Sequence, residues 1–184
     1  MLAALGGANI EQMFAVTDSR VMGIDPGVST TGYGVVERTS TGLSAVDYGV
    51  IKTPVEWPIE TRLRCLFEEI ERYLSEFVPG SLAIERVLFQ ANAKTAMSVG
   101  QATGAVLVAA ARCDLPVTFY SPNEVKQAVA GYGAADKKQV TSMVAKVLEL
   151  AKPPQPADAA DALAIALTHA NSSRLRSKLA EAGA

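Results

Sequence analysis

Four acidic residues, Asp25, Glu85, Asp158 and Asp161, stand in settings that could bring them together. Asp25 ends the short apolar run Arg20 to Ile24 and precedes Pro26-Gly27, where proline fixes φ and glycine permits the positive φ of a tight turn. Glu85 ends a second apolar run, Leu82-Ala83-Ile84. Asp158 and Asp161 lie in Ala157 to Ala170, a segment of high helix propensity, and share one face of its first turn. Four converging carboxylates suit two divalent ions about 4 Å apart, one activating water and the other stabilising the leaving oxygen of a phosphodiester displacement. Hard oxygen ligands select Mg2+ or Mn2+ over zinc. No serine, cysteine and histidine arrangement competes, because the one histidine, His169, reads as a helix-face residue.

Each acid also has a plainer explanation. Asp-Pro-Gly is an ordinary turn, although Glu85 is a poor turn former. Acids in the first turn of a helix satisfy free amides and favour its dipole without doing chemistry. Against this, Ala159, Ala160, Ala162 and Leu163 indicate a helix packed on a sheet, where unpaired negative charge is costly.

The elements that must position these acids follow from periodicity. Gly32 to Glu37 and Ala45 to Lys52 flank the turn residues Thr39 to Gly42 and, with the strand ending at Asp25, predict an antiparallel meander. Thr61 to Phe77 carries Leu63, Leu66, Phe67, Ile70, Leu74 and Phe77 at helical spacing. Pro79-Gly80 then introduces the strand that delivers Glu85. Thr95 to Arg112 is rich in alanine and glycine and apolar almost all round, so it is either a core helix or a subunit interface. Pro116 to Tyr120 reads as a strand, and Ser121-Pro122-Asn123-Glu124 as the capped start of a helix to about Ala130. Gly131-Tyr132-Gly133 breaks it, and Val140, Met143, Val144, Val147 and Leu148 define another helix before the loop Pro153 to Pro156. The order β-β-β-α-β-α-β-α-α-α predicts an α/β layer fold with a mixed sheet. Asp25 and Glu85 would then stand side by side at its carboxyl edge.

With 184 residues, about half of them apolar, the chain suits one domain. We assign residues 20–171 to it, residues 1–19 to a disordered extension, and residues 172–184, with Arg174, Arg176 and Lys178, to a flexible tail. Cys65 and Cys113 fall in apolar-periodic segments without metal-ligand spacing and are expected as buried free thiols in a reducing cytoplasm. No run suits a membrane span or a secretory signal, which points to a soluble cytoplasmic protein. The net charge of −2 argues mildly against non-specific nucleic-acid binding, but carboxylates gathered at one site can coexist with a basic rim.

Gly23-Ile24-Asp25-Pro26-Gly27 with Thr31-Gly32-Tyr33-Gly34, then Ala83-Ile84-Glu85, then Ala157-Asp158-Ala159-Ala160-Asp161-Ala162-Leu163-Ala164 resembles, in order and spacing, the RuvC family of bacterial Holliday junction resolvases. The likeness runs from about Val21 to Ala170 and includes Val99-Gly100-Gln101-Ala102, Val125-Lys126-Gln127 and the Lys137 region. It implies a ribonuclease H-like fold with a five-stranded mixed sheet flanked by helices. It also implies a homodimer that makes paired symmetric nicks in strands of like polarity across a four-way junction, in homologous recombination and DNA repair. Asp25, Glu85, Asp158 and Asp161 would be the Mg2+ ligands, two ions per site, and Thr95 to Arg112 would lie at the dimer interface. A branch-migration motor, RuvA and RuvB, is implied as a partner.

The same resemblance puts Lys126 and Lys137 on junction phosphates, with Arg86, Lys94 and Lys138 extending a basic rim; a lone lysine is otherwise a solvated helix face. Relatives often carry an aromatic residue three places after the glutamate, where this chain has Leu88 with Phe89 beside it. Phe89 could stack on a base after a small loop shift, Leu88 could act as an apolar wedge, or Phe89 could pack in the core. Two other functions fit parts of the pattern. Gly-Ile-Asp-X-Gly followed by Ser29, Thr30 and Thr31 also resembles the first phosphate loop of actin-like and Hsp70-like ATPases, but that fold needs two lobes and a second such loop. A non-catalytic junction-binding module predicts a missing acid, and all four are present.

Overall fold

The computed structural model describes residues 19–86 and 93–182, with side chains described from Thr95 to Ser172 in the second stretch. Strands β1 (Arg20–Asp25), β2 (Thr30–Arg38) and β3 (Leu43–Lys52) are followed by helix α1 (Ile59–Phe77) and strand β4 (Ser81–Glu85). Helix α2 (Ala93–Arg112), strand β5 (Val117–Tyr120) and helices α3 (Pro122–Ala130), α4 (Lys137–Val147) and α5 (Ala157–Ala182) complete the order. This is the expected succession of elements. The five strands form one sheet in the order β3-β2-β1-β4-β5. β1 pairs antiparallel with β2, and β2 with β3. β1 pairs parallel with β4, and β4 with β5, so α1 and α2 are the crossovers that parallel pairing requires.

Alternation along each strand sorts the core into two layers. Met22 and Ile24 of β1, Tyr33 and Val35 of β2, and Leu82 and Ile84 of β4 meet Leu66, Ile70 and Leu74 of α1 and Ala102, Val106, Ala109 and Ala110 of α2. The opposite face carries Val21, Val36, Ala83 and Tyr120 against Leu163, Ile165 and Leu167 of α5, with Val125 and Val129 of α3 and Val140 and Val144 of α4. Each fully buried Leu, Ile or Val contributes about 1.5–3 kcal/mol relative to exposure. Helix α5 is buried nearly all round from Ala159 to Ala170, because the sheet takes one side and α3 and α4 the other.

Two details differ from the sequence reading. α5 continues beyond Asn171 to Ala182; Ser172 Oγ donates to the Thr168 carbonyl at 2.8 Å and no glycine follows until Gly183. The flexible tail expected at residues 172–184 therefore begins as helical backbone. Cys113 is exposed rather than buried, since it lies in the turn past the end of α2, whereas Cys65 is half-buried; both are free. The extension expected at residues 1–19 lies outside the described residues, apart from Ser19. No described helix is long and apolar enough to cross a membrane.

Candidate active site

Strand parity delivers the first two acids. With Ile24 on the α1–α2 side, Asp25 turns to the α5 side, and Glu85 follows Ile84 in the same sense. Ile24 and Ile84 are partners in the parallel ladder, so the two acids leave adjacent strands side by side. A hydrogen-bonded turn holds the chain directly after Asp25: Thr31 Oγ1 donates to the Gly27 carbonyl at 2.6 Å, and the Gly27 amide donates back at 3.3 Å. From the far side of this loop, Arg62 donates to Ser29 Oγ at 2.6 Å and to Thr53 Oγ1 at 3.0 Å.

Glycine delivers the other two. A β-carbon on Gly32, the ladder partner of Asp25, would lie 2.0 Å from the Asp158 carbonyl oxygen; one on Gly23 would lie 2.2 Å from that of Ala162. Neither position can carry a side chain while α5 lies where it does. The α5 backbone thus rests directly on the sheet, and the first-turn residues Asp158 and Asp161 come down beside Asp25. All four acids line one cleft of about 380 Å³, together with Lys126 and Lys137. Pro122, Val125, Val140, Ala164 and Ile165 form its apolar walls.

The acids repel one another in a partly buried setting. Burial, then the charges of Glu85, Asp161 and Asp158, pushes the Asp25 carboxyl up from 3.8 to about 8, with Lys137 opposing. Glu85 is also raised, first by burial and then by Asp161, while a hydrogen bond from Asp25 and the charge of Lys137 pull it back. Both strand-end carboxyls are thus held above the ordinary carboxylate range by burial and by their acidic neighbours. The Lys137 ammonium lies 2.5 Å from Asp161 Oδ2. That hydrogen bond raises the lysine above its ordinary range, with burial opposing and the charges of Asp161, Asp25 and Asp158 adding.

Lys137 is placed by a capping box absent from the sequence reading. Asp136 accepts from the Gln139 amide at 2.8 Å and Gln139 Oε1 accepts from the Asp136 amide at 2.9 Å, which fixes Lys137 as the first residue of α4. The Ser121–Glu124 box expected at the start of α3 is present, and Lys126 follows one turn later, half-buried. Arg86 is exposed at the end of β4, near enough to Glu124 to help lower its carboxyl after the hydrogen bonds from Ser121. Lys138 is exposed on α4. Leu88 and Phe89 lie outside the described residues, as does the side chain of Lys94. His169 is buried and its Nδ1 lies 3.0 Å from the Tyr120 hydroxyl, which makes it part of the packing behind the site.

The donor set fits hard divalent cations. Every candidate ligand is a carboxylate, and four acids share one cleft with two lysines, where burial and the neighbouring negative charges push Asp25 upward. Among the described residues no three His, Cys, Asp or Glu side chains already stand in a metal-ligating arrangement, and Asp161 is engaged by Lys137 instead.

Known proteins share this architecture. The family model for crossover junction endodeoxyribonuclease RuvC matches residues 21–169. A crossover junction endodeoxyribonuclease RuvC from Desulfitobacterium hafniense is 50% identical over 159 residues, covering 86% of this chain and 96% of that protein. A homologue of the same name from Thermotoga petrophila is 44% identical over 157 residues, 85% of this chain and 95% of that one. The structure of Thermus thermophilus RuvC in complex with a Holliday junction substrate superposes with a TM-score of 0.81 at 40% identity, over 85% of this chain and 96% of that one. The yeast mitochondrial Holliday junction resolvase Ydc2, 14% identical with a TM-score of 0.64 over 90% of this chain and 84% of that one, shares the fold. A family-model match over residues 21–169, with relatives 44–50% identical over most of their length, makes this chain a member of the RuvC family of crossover junction endodeoxyribonucleases.

Proposed function

We propose that this chain resolves four-way DNA junctions by paired, symmetric nicks in strands of like polarity, through hydrolysis at a site where Asp25, Glu85, Asp158 and Asp161 hold two Mg2+ or Mn2+ ions. The observation that carries the reading is the gathering of four carboxylates in one cleft, where burial and their mutual repulsion push Asp25 up to about 8. Bound divalent ions would activate water and stabilise the leaving oxygen of the phosphodiester. The protein's own contribution is positional. Glycine contacts seat α5, and strand ends aim Asp25 and Glu85 into the cleft.

Substrate class is supported by the junction complex of the Thermus thermophilus relative. Lys126 and Lys137, which line the cleft, are the candidate phosphate contacts, with exposed Arg86 at the end of β4 a further one. Leu88 and Phe89 remain candidates for the junction centre by their position three and four residues after Glu85. Paired nicks require two sites, and the outer face of α2 suits a second copy: Met97 and Val108 are exposed on it, and Gly100 and Gly104 leave open space above the helix. RuvA and RuvB are proposed partners on family grounds alone.

The test is Asp25→Asn. This variant should lose Mg2+-dependent and Mn2+-dependent nicking of a four-way junction while binding that junction with unchanged affinity in chelator. Cutting at the wild-type rate would remove Asp25 from the chemistry and with it the four-acid mechanism.

A further inference from the structure

Lys137 supplies positive charge to the acids from the solvent side. Its ammonium lies 2.5 Å from Asp161 Oδ2, yet its side chain is 61% exposed. The backbone beneath it is held by the Asp136–Gln139 box, so the ammonium can leave by rotation of its four-carbon stem without any backbone movement. An ammonium offers one charge and hydrogen-bond donors, whereas a divalent cation offers two charges and takes the oxygen lone pairs directly. A cation drawing Asp161 into its shell therefore competes with Lys137 for the same carboxylate.

Building on the metal-site reading above, we propose that Lys137 is an internal counter-ion of the acid cluster, displaced from Asp161 by a divalent cation and thereby released to grip a substrate phosphate. The exchange sets an order of events. In the metal-free chain the lysine is occupied by Asp161; in the loaded chain it is presented to DNA in the same cleft. Metal and junction then bind with positive coupling through one side chain, and by linkage each tightens the other. Lys126 lines the cleft without an ion-pair partner among the described residues, so it reports the effect of charge without exchange.

The test uses the full chain without DNA and follows Mn2+ binding by electron paramagnetic resonance. Lys137→Gln should bind Mn2+ at least about threefold more tightly than wild type, the scale of a partly exposed ion pair, and Lys126→Gln should change affinity less. Equal affinity in Lys137→Gln and wild type would overturn the exchange while leaving the metal site intact. Equal tightening in both variants would also overturn it, because charge alone would then suffice. Absence of Mn2+ binding in wild type and variants alike would overturn the metal site and the exchange with it. A second measurement uses junction affinity with non-hydrolysing Ca2+ or with chelator. Lys137→Gln should weaken binding more in Ca2+; the same loss in both conditions would refute release of the lysine.

Discussion

Gly32→Ala isolates the contact that seats the second pair of acids. A β-carbon there would lie 2.0 Å from the Asp158 carbonyl oxygen and 2.6 Å from its carbonyl carbon, both backbone atoms. Ordinary contact begins at 3.4 Å, so relieving the oxygen clash from 2.0 Å requires a movement of about 1.4 Å between β2 and the first turn of α5. Overpacking of this kind costs about 1–3 kcal/mol, which in a chain of this size lowers Tm by roughly 2–4 °C per kcal/mol. The larger consequence is chemical. Asp158 and Asp161 ride on that turn, and a misplacement of about 1 Å at a reacting centre can cost on the order of 100-fold in rate. We expect Gly32→Ala to melt several degrees lower yet remain folded at 25 °C, with junction nicking down about 100-fold and junction binding in chelator nearly unchanged. Gly42→Ala is the control, because a β-carbon there meets nothing within 4 Å. Nicking by Gly32→Ala within a few-fold of wild type would refute the claim that close approach of α5 builds the site.

Three further outcomes follow from the same geometry. Asp25 holds its proton to about 8 in the fold against an ordinary value of 3.8, so the folded state binds more protons than the unfolded chain between those limits and metal-free stability falls as pH rises through them. Asp25→Asn should therefore gain Tm over wild type at pH 8 in chelator and much less at pH 5; a pH-independent difference would contradict the crowding. Lys126→Ala should weaken junction binding and reduce the salt slope by about 1, as loss of one phosphate contact does, whereas an unchanged slope would make it a solvated helix residue. Asp136→Ala removes the cap that starts α4 and should cost about 1 kcal/mol in urea denaturation, while a loss within error would show that the cap does not anchor Lys137.

The strand-end acids were legible in the sequence because the signals are local. An apolar run stopped by Asp25 or Glu85 marks a strand end, and alternation then dictates the face. The succession of elements was equally legible, since periodicity and the Ser121–Glu124 box are short-range patterns. What escaped was tertiary. Gly23 and Gly32 could be quoted as part of a motif, but only the packed structure shows that each lies under the α5 backbone; the opposing small residues Ala159, Ala162 and Ala166 were the available hint. The Lys137–Asp161 pair joins two helices through a side chain, and nothing in the local sequence specifies it, although Asp136-Lys137-Lys138-Gln139 carried a readable cap. An apolar period near a helix end does not reveal the turn that exposes Cys113.

Nicking of one four-way junction compared with a linear duplex of the same sequence, each with Mg2+ and with chelator, tests the central claim most directly. A catalytic four-carboxylate cleft that recognises branched DNA predicts symmetric cuts in the junction with Mg2+, little cutting of the duplex, and none of either in chelator. Undiminished junction cutting in chelator would contradict the metal-dependent site, and equal cutting of duplex and junction would contradict the proposed substrate.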